Sequence, residues 1–169
     1  MSNNLSDIIE SKLSIINNLP VRYIGRACNM VWIGFGEDIT TKNHKNVAKY
    51  ALHLQCDFRI IDSEKIILGS SDIYEPNSIT EWTENFNWDI SGANLYDEIA
   101  KTISGIYKTE QIIVTKISAD NYGDIKIEIS NGYIIEIFLS SSSKEECWRF
   151  FESGNNDSHF VITGKGVGV

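Results

Sequence analysis

The chain has 169 residues, 42% of them hydrophobic, and its 15 Lys and Arg against 23 Asp and Glu leave a formal charge of −8. That length suits one domain, in which folding can hide roughly 70% of the surface the unfolded chain exposes. The acidity argues against a binder of nucleic-acid backbones, which needs clustered Lys and Arg, and no apolar run approaches the ~20 residues of a membrane span.

Three cysteines, Cys28, Cys56 and Cys147, are an odd number without CxxC spacing. With no secretory leader ahead of them, they read as reduced thiols packed as small hydrophobes, and the expected location is the cytoplasm.

Taken in chain order, residues 1–19 place Leu5, Ile8, Ile9, Leu13 and Ile16 at helical spacing, with Asn4 as N-cap and Asp7 in the first turn. Pro20 ends that helix. A first β unit follows, in which Val31, Ile33 and Phe35 share one face and Tyr50, Leu52 and Leu54 share the same inward side. Trp32, His53 and Gln55 point the other way, as Arg59 does between Phe58 and Ile60. The polar run from Glu37 to Lys49 predicts a loop between these strands.

Tyr74 to Asp89 carries Pro76 and four aromatics, Tyr74, Trp82, Phe86 and Trp88, which predicts an irregular but ordered connection. A second helix is expected from Leu95 to about Ser104, capped by Asn94 and stopped at Gly105. A strand from Gln111 to Ile117 then leads into the second unit. There, a two-residue turn at Asn131-Gly132 would put Glu136 in the row of Ile125, Ile127 and Ile129. A three-residue loop with Gly132 in the left-handed region instead pairs Ile129 with Tyr133, Ile127 with Ile135 and Ile125 with Ile137, and sets Lys126 opposite Glu136. The second register is the one expected.

Internal similarity organises the whole. Cys56–Ser63 (CDFRIIDS) is matched by Glu146–Ser153 (ECWRFFES), so that Phe58, Arg59 and Ile60 answer to Trp148, Arg149 and Phe150. Before them stand Tyr50–Gln55 and Tyr133–Phe138, and before those Val31–Gly36 and Ile127–Gly132; after them come Ile66–Gly69 and Val161–Gly164. Four short strands cannot bury both faces alone. The expectation is therefore a single α+β domain over residues 1–169, mostly antiparallel. It holds two pseudo-symmetric four-stranded units, about 25–73 and 118–167, which share one core as a barrel or a sandwich. An N-terminal helix and a linking helix complete it.

No motif carries a reaction. His44, His53 and His159 lack HxH or HExxH spacing, so no metal site is expected. Gly34-Phe35-Gly36 and Gly164-Lys165-Gly166 lack the helix start a phosphate loop requires. No catalytic residue and no cofactor are assigned. The least bland polar set is His53, Gln55, Arg59, Glu136 and Arg149, which could grip a small ligand or could hold Asp62, Asp72 or Glu152 in ion pairs.

The second feature is charge placement. Residues 66–100 contain no Lys or Arg but seven acids, Asp72, Glu75, Glu81, Glu84, Asp89, Asp97 and Glu98, while the other sixteen acids face all fifteen bases. Glu75, Glu81 and Glu84 beside Trp82, Phe86 and Trp88 form the candidate surface for a basic protein partner.

The combination YALHLQCDFRI, GSSDIY, GDIKIEISNGYIIEIF, ECWRFFE and HFVITGKG, spanning about Gly25 to Gly166, resembles an uncharacterised family of small bacterial proteins sometimes encoded near polymorphic toxin loci. The resemblance implies a shared fold and an immunity-like role, and it implies no catalytic residue.

Overall fold

The computed structural model describes residues 4–168. Helix α1 spans Leu5–Leu13, with the Asn4 side chain accepting the Asp7 amide at its start, and continues into a 3-10 turn over Ser14–Ile16. Ile9, Leu13 and Ile16 are fully buried, as their spacing demands. Five strands follow: β1 Val21–Ala27, β2 Met30–Thr40, β3 Asn46–Leu54, β4 Asp57–Ile61 and β5 Ile66–Gly69. A 3-10 turn, Ser70–Tyr74, and a long loop lead to α2, Leu95–Thr109. Then come β6 Val114–Ala119, β7 Ile125–Ile129, β8 Ile134–Phe138, β9 Glu146–Glu152, β10 Phe160–Thr163 and the short β11 Gly166–Val167.

All pairing is antiparallel and falls into two sheets. One has the order β1-β2-β3-β9-β10-β11 and the other β5-β4-β8-β7-β6. Each half of the chain therefore lays three consecutive strands in one sheet and sends its next two, β4-β5 or β9-β10, into the other. The inward rows of both sheets meet in one core that includes Ile33, Phe35, Leu52, Ile60, Ile127, Ile135, Trp148 and Phe150. The sheets are also tied where β1 and β6 begin: the Val21 amide donates to the Ile112 carbonyl, and the Val114 amide to the Leu19 carbonyl. Among the described residues, no helix is long and apolar enough to cross a membrane.

Several expectations meet the structure directly. Gly132 has φ +86, its amide donates to the Ile129 carbonyl, and Ile127 faces Ile135, Ile125 faces Ile137 and Lys126 faces Glu136. The three-residue loop keeps the carboxylate out of the isoleucine row. Asn94 caps α2 by accepting the Asp97 amide.

Others are corrected. The strands before α2 number five and those after it six, rather than four in each unit: β6 was expected as a strand outside the second unit, whereas β1 and the short β11 were not anticipated. A register shift between Val21 and Tyr23 puts Val21 and Ile24 both inward, three apart, and so removes the alternation that marks a strand. Glu37–Lys49 is not a loop but the extension of the β2-β3 hairpin, pairing Asp38 with Ala48 and Thr40 with Asn46. Helix α2 runs through Gly105 to Thr109, burying Tyr107 in its last turn. That burial outweighs the ~1 kcal/mol cost of glycine inside a helix. Pairing also offsets two of the matched runs. Val31, opposite Leu54, corresponds by register to Ile125 opposite Ile137, two residues from the sequence match. Leu68, opposite Ile60, corresponds to Phe160 opposite Phe150, three residues from it.

Candidate functional site

The five polar residues singled out by sequence do not converge. Arg59 and Glu136 are cross-strand neighbours on β4 and β8, facing away from the core of the five-stranded sheet, with Arg59 Nε donating to Glu136 Oε2 at 2.6 Å. The guanidinium lies 5.2 Å from the centre of the Phe138 ring. With Lys126 opposite Glu136, and Lys116 near Glu128, this outer face is a ladder of alternating charge.

His53 and Arg149 are cross-strand neighbours on the outer face of the six-stranded sheet. Glu146 takes a hydrogen bond from the Gln55 amide at 3.1 Å and lies 3.1 Å from Arg149 Nε, whose N–H is not aligned to donate to it. Neither arginine holds Asp62, Asp72 or Glu152. His53 sits in an aromatic row, 6.4 Å from Trp32 and edge-on to Phe151 at 4.8 Å, with Phe151 stacked on His159 at 4.1 Å. Its Nδ1 is enclosed without a partner. Burial, then the charges of Arg149 and His159, push its pKa down from 6.5 to about 4, so the ring is neutral and serves as packing. Among the described residues, no cluster of three His, Cys, Asp or Glu side chains is placed to hold a metal ion.

The acidic segment is tied down by a residue outside it. Arg26 on β1, its side chain only 6% exposed, donates from Nε and Nη2 to the two oxygens of Asp97 at 2.7 and 2.8 Å. It also donates to the Trp88 carbonyl at 3.2 Å and lies 3.5 Å from Asp89. Burial works to raise the Asp97 carboxyl, but the hydrogen bonds from Arg26 and the Gly92 amide, with the Arg26 charge, hold it below the usual range. Asp72 accepts the Gly69 amide, and Glu98 accepts the amide and hydroxyl of Ser78, which lowers its pKa.

Of the seven acids, then, Asp89 and Asp97 are both paired with Arg26, which offsets one of their two charges, and Asp72 and Glu98 fix backbone. Glu75, Glu81 and Glu84 make no ion pair among the described residues and are exposed. The aromatics divide in the same way. Trp88 is half-buried, with Tyr74 edge-on to it at 5.1 Å, whereas Trp82 is 68% exposed, with the Phe86 ring 5.7 Å away. Ile79, 89% exposed, and Ile90 stand in the same loop.

Sequence reasoning found the loop but missed Arg26, because nothing in VRYIGRAC places one arginine against a carboxylate seventy-one residues later. Comparison of the chain with known protein families, with curated proteins and with solved structures finds no match.

Proposed function

We propose that the chain is a non-catalytic, cytoplasmic protein-binding protein whose loop between α2 and the preceding 3-10 turn docks a basic protein partner. An immunity-like inhibitor of a toxin domain is the concrete form of this reading. The observation that carries it is Trp82, a large aromatic left in solvent beside Glu81 and Glu84. Unpaired carboxylates steer a basic partner over a distance, and a tryptophan supplies the desolvated anchor that charge alone lacks. The Arg26 clamp adds pre-organisation, since a loop already ordered loses less entropy on binding. A small-ligand site or enzyme built on His53, Arg59 and Arg149 is not favoured, because these residues lie on the outer faces of two different sheets.

Internal duplication is the reading that best accounts for the pairing. His53 opposite Arg149 and Glu136 opposite Arg59 are the same pair when Tyr50 is matched with Tyr133 and Arg59 with Arg149. The register shift between Val21 and Tyr23 in β1 also recurs between Val114 and Lys116 in β6.

The test of function is a pull-down or co-expression rescue with proteins encoded beside this gene, repeated with Glu75→Lys, Glu81→Lys and Glu84→Lys together. Charge reversal and added salt should both slow association. A bound neighbour indifferent to both treatments, or no bound neighbour, would overturn the reading.

A further inference from the structure

The two helices fit the shared core unequally. Helix α2 packs on β1, β5 and the 3-10 turn, and it buries Tyr107 in its last turn. No aromatic residue of α1 reaches Tyr50, because the helix has none. Helix α1 packs on β6 and leaves a cleft of about 750 Å³ between its other flank and the β9-β10 hairpin. That volume lies in the range of small-molecule sites.

The floor of the cleft is aromatic: Tyr50 stacked on Phe150 at 5.9 Å, with Phe160 beside them. Ile8 on α1 and Ile15 on the 3-10 turn that continues it line the opposite wall, Ile15 being 52% exposed. An apolar guest would remove that surface from water. Glu152 and Asp157, the latter accepting from Asn155 Nδ2 at 2.9 Å, line the hairpin wall and Lys12 the helix wall, and none of the three makes an ion pair among the described residues. Lys49, whose ammonium lies 5.8 Å from the centre of the Tyr50 ring, is already held by Glu37 at 3.1 Å.

We propose that this cleft binds a small aromatic ammonium compound. Its ring lies over the Tyr50–Phe150 stack, and its nitrogen faces the wall that carries Glu152 and Asp157. Two carboxylates on one wall favour a cation there, and Lys12 on the other repels the reversed orientation. An aromatic carboxylate of equal size meets two like charges for one favourable one. The site is separate from the acidic loop, which is anchored to β1 and α2, so the two proposals stand or fall independently.

The test uses tryptamine and its anionic near-isostere indole-3-propionate as probes, with the full chain, by calorimetry and saturation-transfer NMR. Tryptamine should bind at least about tenfold more tightly than the anion. Glu152→Gln with Asp157→Asn should weaken tryptamine by about tenfold or more and leave the anion no weaker. Ile15→Arg, a change at an exposed helix position that does not threaten the fold, should abolish tryptamine binding, while Glu81→Lys should not alter it. No saturation by about 10 mM tryptamine, equal or tighter binding of the anion, or binding that survives Ile15→Arg would each overturn the proposal.

Discussion

Arg26 and Asp97 form a two-point ion pair between β1 and the first turn of α2, and through it the loop that bears Trp88 is fastened to the core. Removing the arginine leaves a mostly buried carboxylate and the Trp88 carbonyl each short of a partner. Arg26→Ala should therefore cost about 3 kcal/mol in urea unfolding. Arg26→Lys should recover only part of this, because an ammonium cannot reproduce the planar fork. If Arg26→Ala unfolds at the wild-type urea concentration, the clamp contributes nothing.

Two glycines should respond with opposite sign to the same substitution. Gly132 and Gly105 both have open space where a Cβ would stand, so backbone conformation alone decides. Gly132 has φ +86, and Gly132→Ala should destabilise by about 1 kcal/mol or more. Gly105 lies inside α2, and Gly105→Ala should stabilise by about 0.5–1 kcal/mol. Urea midpoints of the two variants, shifted in opposite directions, are the expected result.

The contrast between those glycines shows what the sequence could and could not disclose. Gly132 was legible because the alternation of Ile125, Ile127 and Ile129 on one side, and Ile135 and Ile137 on the other, admits one register that keeps Glu136 outside. Gly105 was misread as a stop because its helical role depends on Tyr107 finding a buried place two residues on, which is a tertiary fact. The same holds for the site. Charge placement exposed the acidic loop, yet the division of its acids into clamped and free required knowing that Arg26 reaches Asp97. His53, Arg59 and Glu136 were read as facing away from the core, as they do. That two sheets would carry them to different faces depends on the crossing of β4 and β9, which no local pattern records.

His53 gives the fold a pH dependence. Its pKa is about 4 when folded and 6.5 in the unfolded reference, so between these values the unfolded chain binds more protons. Stability should then be full above pH 6.5 and fall as the pH drops towards 4. His53→Phe should flatten this slope while preserving the contact with Phe151. Urea unfolding at several pH values across that window checks it, and equal slopes in the two proteins would count against a buried neutral imidazole.

Trp82 and Trp148 should behave as opposites, and Trp82 reports the electrostatics on which partner docking depends. Trp148 is fully buried with its Nε1 donating to the Gly123 carbonyl at 2.9 Å, so Trp148→Ala should cost about 3–5 kcal/mol. Trp82→Phe should leave stability within about 0.5 kcal/mol. The fluorescence lost in Trp82→Phe therefore isolates an exposed indole flanked by Glu81 and Glu84. At low ionic strength caesium should quench this component more efficiently than iodide, because the unpaired carboxylates attract the cation and repel the anion. The preference should shrink as salt shortens the screening length to about 3 Å near 1 M. With Glu75→Lys, Glu81→Lys and Glu84→Lys together it should reverse. Equal quenching by the two ions at low salt would mean that the loop offers no negative potential to steer a basic partner, whatever its aromatic residues contribute.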